Sequence, residues 1–307
     1  MRVLVTGGAG FIGSHVVESL LARKHEVVTL DNLSAGRANN IPPSVTLIRM
    51  DLGHRAEVHQ ALLETKPDAV IHLAAQKSVA TSVSDPIFDA QENILASLNL
   101  FEAAKNAGVH KLVFASTGGA LYGDDAPLPT PEEHETLPES PYGVAKLAIE
   151  HYLRFYRKNH GMQVVSMRMA NVYGPRQDPR GEAGVVAIFC SKALKGETAH
   201  IYGDGLQTRD YTFVKDVAEA FADALEQGDS MTVNIGTGRE TSVLDLVDAL
   251  ELIVGQAISR EHHEGRIGEI RRSCLCADLA QEKLGWTANT GLHSGLAETV
   301  RFFRDQK

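Results

Sequence analysis

Cysteine is scarce. The three thiols in 307 residues, Cys190, Cys274 and Cys276, are too few and odd in number for a disulfide framework. That points to a reducing compartment and an expected cytoplasmic location. No apolar run is long enough to cross a bilayer. No dense Lys/Arg block offsets the net charge of −9, which argues against a nucleic-acid partner. Repeats and low-complexity tracts are missing too. Cys274-Leu275-Cys276, with His262-His263 not far before it, does not follow the spacing of a tetrahedral structural site, so no metal is expected. The apolar start Met1–Val5 runs at once into Thr6–Gly8 instead of a long hydrophobic region. It reads as a first strand, with no targeting segment ahead of it.

The hydrophobic share of 43% and charged share of 22% are those of an ordinary folded chain. Short β-branched runs at Arg2–Thr6, Glu26–Leu30, Val45–Met50, Ala69–Leu73, Lys111–Ala115 and Val164–Met167 alternate with helical patterns. The clearest helices are Ile12–Arg23, Glu92–Ala107 and Tyr142–Arg157. This alternation predicts an α/β fold: a Rossmann-type, doubly wound parallel sheet. Ser140 suits an N-cap, and Pro141 the first helical position after it. Pro42-Pro43 marks a loop, and Asp124–Pro138, with four prolines and five acidic residues, a surface excursion. The expected division is a dinucleotide-binding domain over 1–171 and a smaller α+β substrate lobe over 172–307. A segment near 210–245 is expected to return to the first domain, with Thr232–Ile235 as its strand.

Thr6-Gly7-Gly8-Ala9-Gly10-Phe11-Ile12-Gly13 joins the first strand to the first helix. Glycines there let a pyrophosphate approach the helix N-terminus, where free N–H groups and the dipole favour negative charge. Asp31 ends the second strand 18 residues beyond Gly13. An acid at that place binds ribose hydroxyls and repels a 2′-phosphate, which favours NAD over NADP despite Arg37 nearby. Asp51-Leu52 follows the third strand and is a candidate for the adenine. Tyr142 and Lys146 are spaced i, i+4 on one helix face. A tyrosine is a poor base at neutral pH unless a nearby ammonium or a cofactor cation lowers its pKa.

With these residues the chain resembles the extended short-chain dehydrogenases/reductases. Further segments resemble, among them, the UDP-glucose 4-epimerase family: His72-Leu73-Ala74-Ala75, Asn93, Tyr122-Gly123, Asn171–Arg176, Arg209-Asp210-Tyr211, Asn234–Gly238 and Lys283–Trp286. The resemblance spans essentially the whole chain. It implies NAD as cofactor, held by Gly7, Gly10, Phe11, Ile12, Gly13, Asp31, Asn32, Ser34, Asp51, Leu52, Leu73, Ala74, Ala75, Lys77, Asn93 and Ser116, with Tyr142 and Lys146. It makes Tyr142 the acid/base, Lys146 its positioning partner, and a Ser/Thr hydroxyl the third member. The usual serine place falls on Gly118, so Thr117 is the expected substitute, with Ser116 as the alternative.

The resemblance also implies a UDP-sugar substrate. Asn171, Arg209 and Arg266 would meet its diphosphate and nearby groups, and Glu269, where the family commonly has Asp, its ribose. Val186, Tyr202 and Ser273 would complete the pocket, with Ser273 leaving room for an N-acetyl group. Related dehydratases carry an Asp-Glu pair after the hydroxyl residue, where this chain has Gly118 and Gly119. The expected reaction is therefore inversion at C4 of a UDP-hexose through a 4-keto sugar. The alternatives are a nucleotide-sugar 4-dehydrogenase or reductase, a UDP-glucuronate 4-epimerase, or a non-catalytic NAD-binding regulator. The resemblance further implies a homodimer that pairs helices near 92–107 and 142–158.

Overall fold

The computed structural model describes residues 1–180, 184–265 and 270–306. Its strands are β1 (Arg2–Thr6), β2 (Glu26–Asp31), β3 (Thr46–Arg49), β4 (Ala69–His72), β5 (Lys111–Thr117), β6 (Gln163–Met169), β7 (Asn171–Tyr173), β8 (Ala199–Tyr202), β9 (Thr208–Arg209), β10 (Tyr211–Phe213), β11 (Met231–Ile235), β12 (Thr241–Ser242) and β13 (Arg260–His263). The helices are α1 (Phe11–Ala22), α2 (Arg55–Thr65), α3 (Val79–Ser84), α4 (Pro86–Ala90), α5 (Ala96–Asn106), α6 (Pro141–His160), α7 (Val185–Lys195), α8 (Val214–Glu226), α9 (Val243–Val254), α10 (Asp278–Leu284) and α11 (Leu292–Asp305).

Seven strands form one sheet in the order β11-β6-β5-β4-β1-β2-β3. Every pairing in it is parallel. A parallel sheet is covered on both faces, so its strands read as nearly continuous apolar runs. The pleat then sends alternate side chains to opposite layers. Val3, Val5, Ile71 and Val113 pack with Val16, Val17 and Leu20 of α1 and Phe221 of α8. Leu4, Val70, Leu112 and Phe114 pack with Leu100 and Phe101 of α5 and Ile149 and Leu153 of α6. The chain reverses direction across the sheet between β1 and β4, and ligands of such sheets bind at that switch, beyond the C-terminal strand ends.

A third apolar cluster joins Tyr173, Phe189, Ile201, Phe213, Leu246 and Leu296. Around it lie three two-stranded sheets, β7–β10, β8–β13 and β9–β12. Helix α6 starts where its signals predict: Pro141 is in the first turn and Ser140 Oγ accepts a bond from Gly143 N at 3.2 Å. The expected helix 92–107 differs at its start. A π turn, Gln91–Leu95, carries α4 into α5. π turns gather at functional sites, and this one presents Asn93.

Candidate active site

The glycine turn holds together by close approach. Gly7 has φ +70°, and a Cβ on it would stand 2.7 Å from Ala74 N. A Cβ on Gly13 would stand 2.1 Å from Gly7 O. Gly10 gives α1 no side-chain cap. Among the described residues, no carbonyl accepts from the amides of Phe11 and Ile12. Together these features make an anion cradle. Asp31 is buried beside it, accepting from Ala9 N at 3.0 Å and Leu33 N at 2.8 Å. Asn32 donates to Asp51 at 2.7 Å, and that bond, more than the one from Gly53 N, holds the Asp51 carboxyl below its usual range. Ser34 is exposed and donates to Asn32, while Leu52 is buried. Leu73-Ala74-Ala75 follows β4 against Gly7, with Lys77 exposed two residues later.

Tyr142 and Lys146 lie one turn apart on α6. Lys146 Nζ donates to Ala115 O at 2.9 Å and stands 5.8 Å from the centre of the Tyr142 ring. Burial draws Lys146 down to about 8, against the opposing charges of Asp89 and Glu150. Tyr142 is half-buried and pushed up to about 12, first by burial and then by Asp89. The expected lowering needs a cofactor cation as well as the ammonium; in the chain alone, burial and Asp89 raise the phenol. Among the described residues the Tyr142 hydroxyl has no hydrogen-bond partner.

Asp89 did not stand out in the sequence. It is 1% exposed, and one of its oxygens accepts from Gln76 Nε2 at 2.8 Å and Asn93 Nδ2 at 2.9 Å. Its other oxygen and Asn93 Oδ1 are buried without a partner. Burial raises the Asp89 carboxyl. The only linear signal is an acid four residues before an amide at the entrance to a helix.

At the end of β5 the two candidate hydroxyls differ. Ser116 Oγ donates to Glu150 at 2.5 Å, and Glu150 is paired at 2.7 Å with Arg168 in a buried bridge. Arg168 continues to the Tyr122 hydroxyl at 2.9 Å, which donates to Asn234 at 2.8 Å. Thr117 is half-buried, and its hydroxyl has no partner among the described residues. Gly118 is closed off: a Cβ there would lie 2.4 Å from Leu275 Cδ1. The Leu275 backbone N–H donates to the buried Asp210 at 3.3 Å. Gly119 has more room, its nearest neighbour being Asn171 Oδ1 at 3.7 Å from a Cβ.

On the facing side, Asn171 is exposed and donates its amide to Asp210 O at 2.9 Å. Arg209 is half-buried, with Nη1 bonded to Thr208 O at 2.8 Å. Ser273 lines a small pocket with Gly118, Gly119 and Tyr122. Tyr202 is exposed on β8. Val186 is 1% exposed and packed with Phe189 and Cys190 in the third cluster. Arg266 and Glu269 lie outside the described residues. Neither Cys274 nor Cys276 joins a cluster of metal-ligating groups among the described residues.

A glycine cradle at the switch of a parallel sheet, facing a buried Lys beside a Tyr, defines a dinucleotide-dependent enzyme of the short-chain type. The chain belongs to the NAD dependent epimerase/dehydratase family, which it matches over residues 3–236. It is similar to the UDP-glucose 4-epimerase of Mycolicibacterium smegmatis, 47% identical over 312 residues that cover 100% of this chain and 99% of that one. Among solved structures it is similar to the UDP-glucose 4-epimerase of Thermotoga maritima with UDP-glucose. That match has a TM-score of 0.98 and 46% identity, covering 100% of this chain and 99% of that one. The UDP-glucose 4-epimerase of Thermus thermophilus, in complex with NAD, matches with a TM-score of 0.94 and 46% identity over 99% of each chain.

Proposed function

We propose that this protein is an NAD-dependent epimerase that inverts C4 of UDP-glucose and UDP-galactose through a 4-keto intermediate. The observation that carries the reading is a cleft with a Tyr–Lys pair and no acid at Gly118, over which Leu275 packs. Elimination of water would need further acid/base groups there. The cradle fits NAD: side chains at Gly7 or Gly13 would fill it, α1 begins uncapped, and Asp31 stands ready for a ribose. The unpartnered buried oxygens of Asp89 and Asn93 mark the same region as polar.

Bound NAD would supply the acceptor and donor of hydride. Tyr142 Oη would take the proton from the sugar 4-hydroxyl and later return one to the 4-oxygen of the turned keto sugar, while hydride from the cofactor adds to the opposite face of C4. Lys146 holds a positive charge beside Tyr142. Thr117 Oγ1, without a partner among the described residues, orients the sugar oxygen. Asn171 and Arg209 grip the diphosphate, an arginine fork being suited to that anion. A firm diphosphate anchor with few bonds to the hexose lets the keto sugar turn over. Ser273 is small and lines the pocket, which leaves room for an N-acetyl group without requiring one.

We also assign a homodimer. Leu95, Val144, Tyr152 and Phe155 are 55%, 51%, 42% and 48% exposed around α5 and α6. Val144, Tyr152 and Phe155 recur on α6 at the spacing of one helix stripe. Such a patch supports burial against a second copy. The function is tested by incubating the purified protein with UDP-galactose, without added cofactor, and separating the products by chromatography. UDP-glucose is expected, with a loss of about 10²–10⁴-fold in Tyr142→Phe. Near-native turnover by that variant, or release of a keto sugar, would refute the reading.

A further inference from the structure

Far from the glycine turn in sequence, the parallel pair β8–β13 places His200 opposite Glu261 and Tyr202 opposite His263. Ala199 and Ile201 point into the core while His200 and Tyr202 are exposed, so the pleat gathers His200, Glu261 and His263 on the outer face. His200 Nδ1 lies 2.8 Å from His263 Nε2. The same two nitrogens lie 3.5 and 3.7 Å from Glu261 oxygens. Those two separations are too long for hydrogen bonds. The two rings hydrogen-bond each other, and each faces a different oxygen of the Glu261 carboxylate within ion-pair range.

We propose that His200, Glu261 and His263 bind a divalent cation of the zinc class. Two imidazoles and one carboxylate are a familiar three-ligand set for zinc, completed by solvent. Metal–ligand bonds of about 2.0–2.1 Å in a tetrahedron set ligand atoms about 3.3 Å apart. One ligand atom from each of the three residues lies within 4.8 Å of the other two, so modest side-chain movements bring the donors to that spacing. The cation has a structural task. All four residues of β13 are exposed and the strand pairs only with β8. A two-stranded sheet is marginal by itself. A cation shared between His200 on one strand and Glu261 and His263 on the other would clip the two together. This inference does not depend on the reaction proposed above.

The test uses the full-length protein, loaded with NAD and first stripped of metal by a chelator. It is titrated calorimetrically with Zn²⁺ alone, and in parallel with Co²⁺ read by its visible spectrum. One ion per chain is expected, with a rise in Tm on addition of Zn²⁺. His200→Ala, Glu261→Gln and His263→Ala change exposed side chains and should keep the metal-free Tm. Each should weaken binding by at least about tenfold, the scale on which even outer-shell partners act. His262→Ala, which alters the alternate face of β13, should bind as the unmodified protein does. Absence of stoichiometric Zn²⁺ uptake overturns the proposal. So does uptake with an equal rise in Tm by the double variant His200→Ala/His263→Ala, or loss of binding in His262→Ala as large as in His200→Ala.

Discussion

Ser116 and Thr117 are neighbours on β5, yet their loss should register in different assays. Ser116 Oγ donates at 2.5 Å to Glu150, whose carboxylate is buried against Arg168. Ser116→Ala removes a hydrogen bond to a buried charge, worth about 1.5–3 kcal/mol. At about 2 °C per kcal/mol for a chain of this size, Tm should fall by roughly 3–6 °C. Its kcat, measured well below Tm, should stay within a few-fold of the unmodified protein. Thr117 has the opposite profile. Its hydroxyl has no partner among the described residues, so the nearly isosteric Thr117→Val breaks no internal bond. The stability change should be under about 0.5 kcal/mol. If this hydroxyl meets the sugar oxygen, kcat should fall by about 10²–10³, as when one donor to a reacting oxygen is removed. Differential scanning fluorimetry and conversion of UDP-galactose read the two effects separately. A hundredfold loss of kcat in folded Ser116→Ala, with Thr117→Val unimpaired, would refute the assignment.

Other consequences are as direct. In Gly13→Ala the new Cβ meets the backbone oxygen of Gly7 at 2.1 Å, so the turn must open. At about 1–3 kcal/mol of strain, NAD should be held roughly 10–100-fold more weakly, read from the cofactor released on denaturation. His72 is buried between Thr6 and Ser97, and burial followed by the charge of Lys146 lowers it to about 3. The unfolded chain takes up this proton near pH 6.5, so the stabilisation is complete above that pH and is lost on acidification toward 3. Its slope is about 1.4 kcal/mol per pH unit, and the urea midpoint of His72→Gln should fall less steeply between pH 6.5 and 5. Phe155→Asp places a charge in the exposed stripe of α6 and should yield a monomer by light scattering; a persistent dimer would remove α6 from the interface.

The parts legible in the sequence are those in which neighbours along the chain decide the outcome. The alternation of Val3, Leu4 and Val5 between two layers is written in a period of two. The start of α6 is written in Ser140 and Pro141. The glycine turn needs no distant partner to be recognised, although what forbids a side chain at Gly7 is Ala74, sixty-seven positions away. The difference between Ser116 and Thr117 is not legible in the sequence because Glu150 reaches Ser116 from another element. Gly118 read as a missing acid, and only the packing of Leu275 shows that the place is filled. The burial of Val186 was hidden for a related reason: its position along α7 says nothing of which way the helix turns in its lobe. His200 and His263 came together through strand register, which no spacing in the sequence expresses.

The electrostatics of the cleft bear on how a tyrosine can serve as both acid and base. Burial and Asp89 hold Tyr142 near 12, so the chain by itself stores a proton on the phenol. Lys146, drawn down to about 8 by burial, is still mostly charged at neutral pH, and Asp89 helps to keep it so. Asp89 thus acts on both members of the pair in one direction, favouring the protonated form of each. Lys146 alone does not overcome this, since its nitrogen sits 5.8 Å from the ring centre and is partly spent on Ala115 O. Ionisation of Tyr142 then calls for a further positive charge in the cleft, and the oxidised nicotinamide ring carries one. A tyrosine tuned in this way would give up its proton readily only while the cofactor is oxidised and would keep it once the ring is neutral. Proton and hydride would be linked in both directions of the reaction, with no second acid or base required. That economy agrees with the bare glycines at 118 and 119, where an eliminating enzyme would need its additional groups.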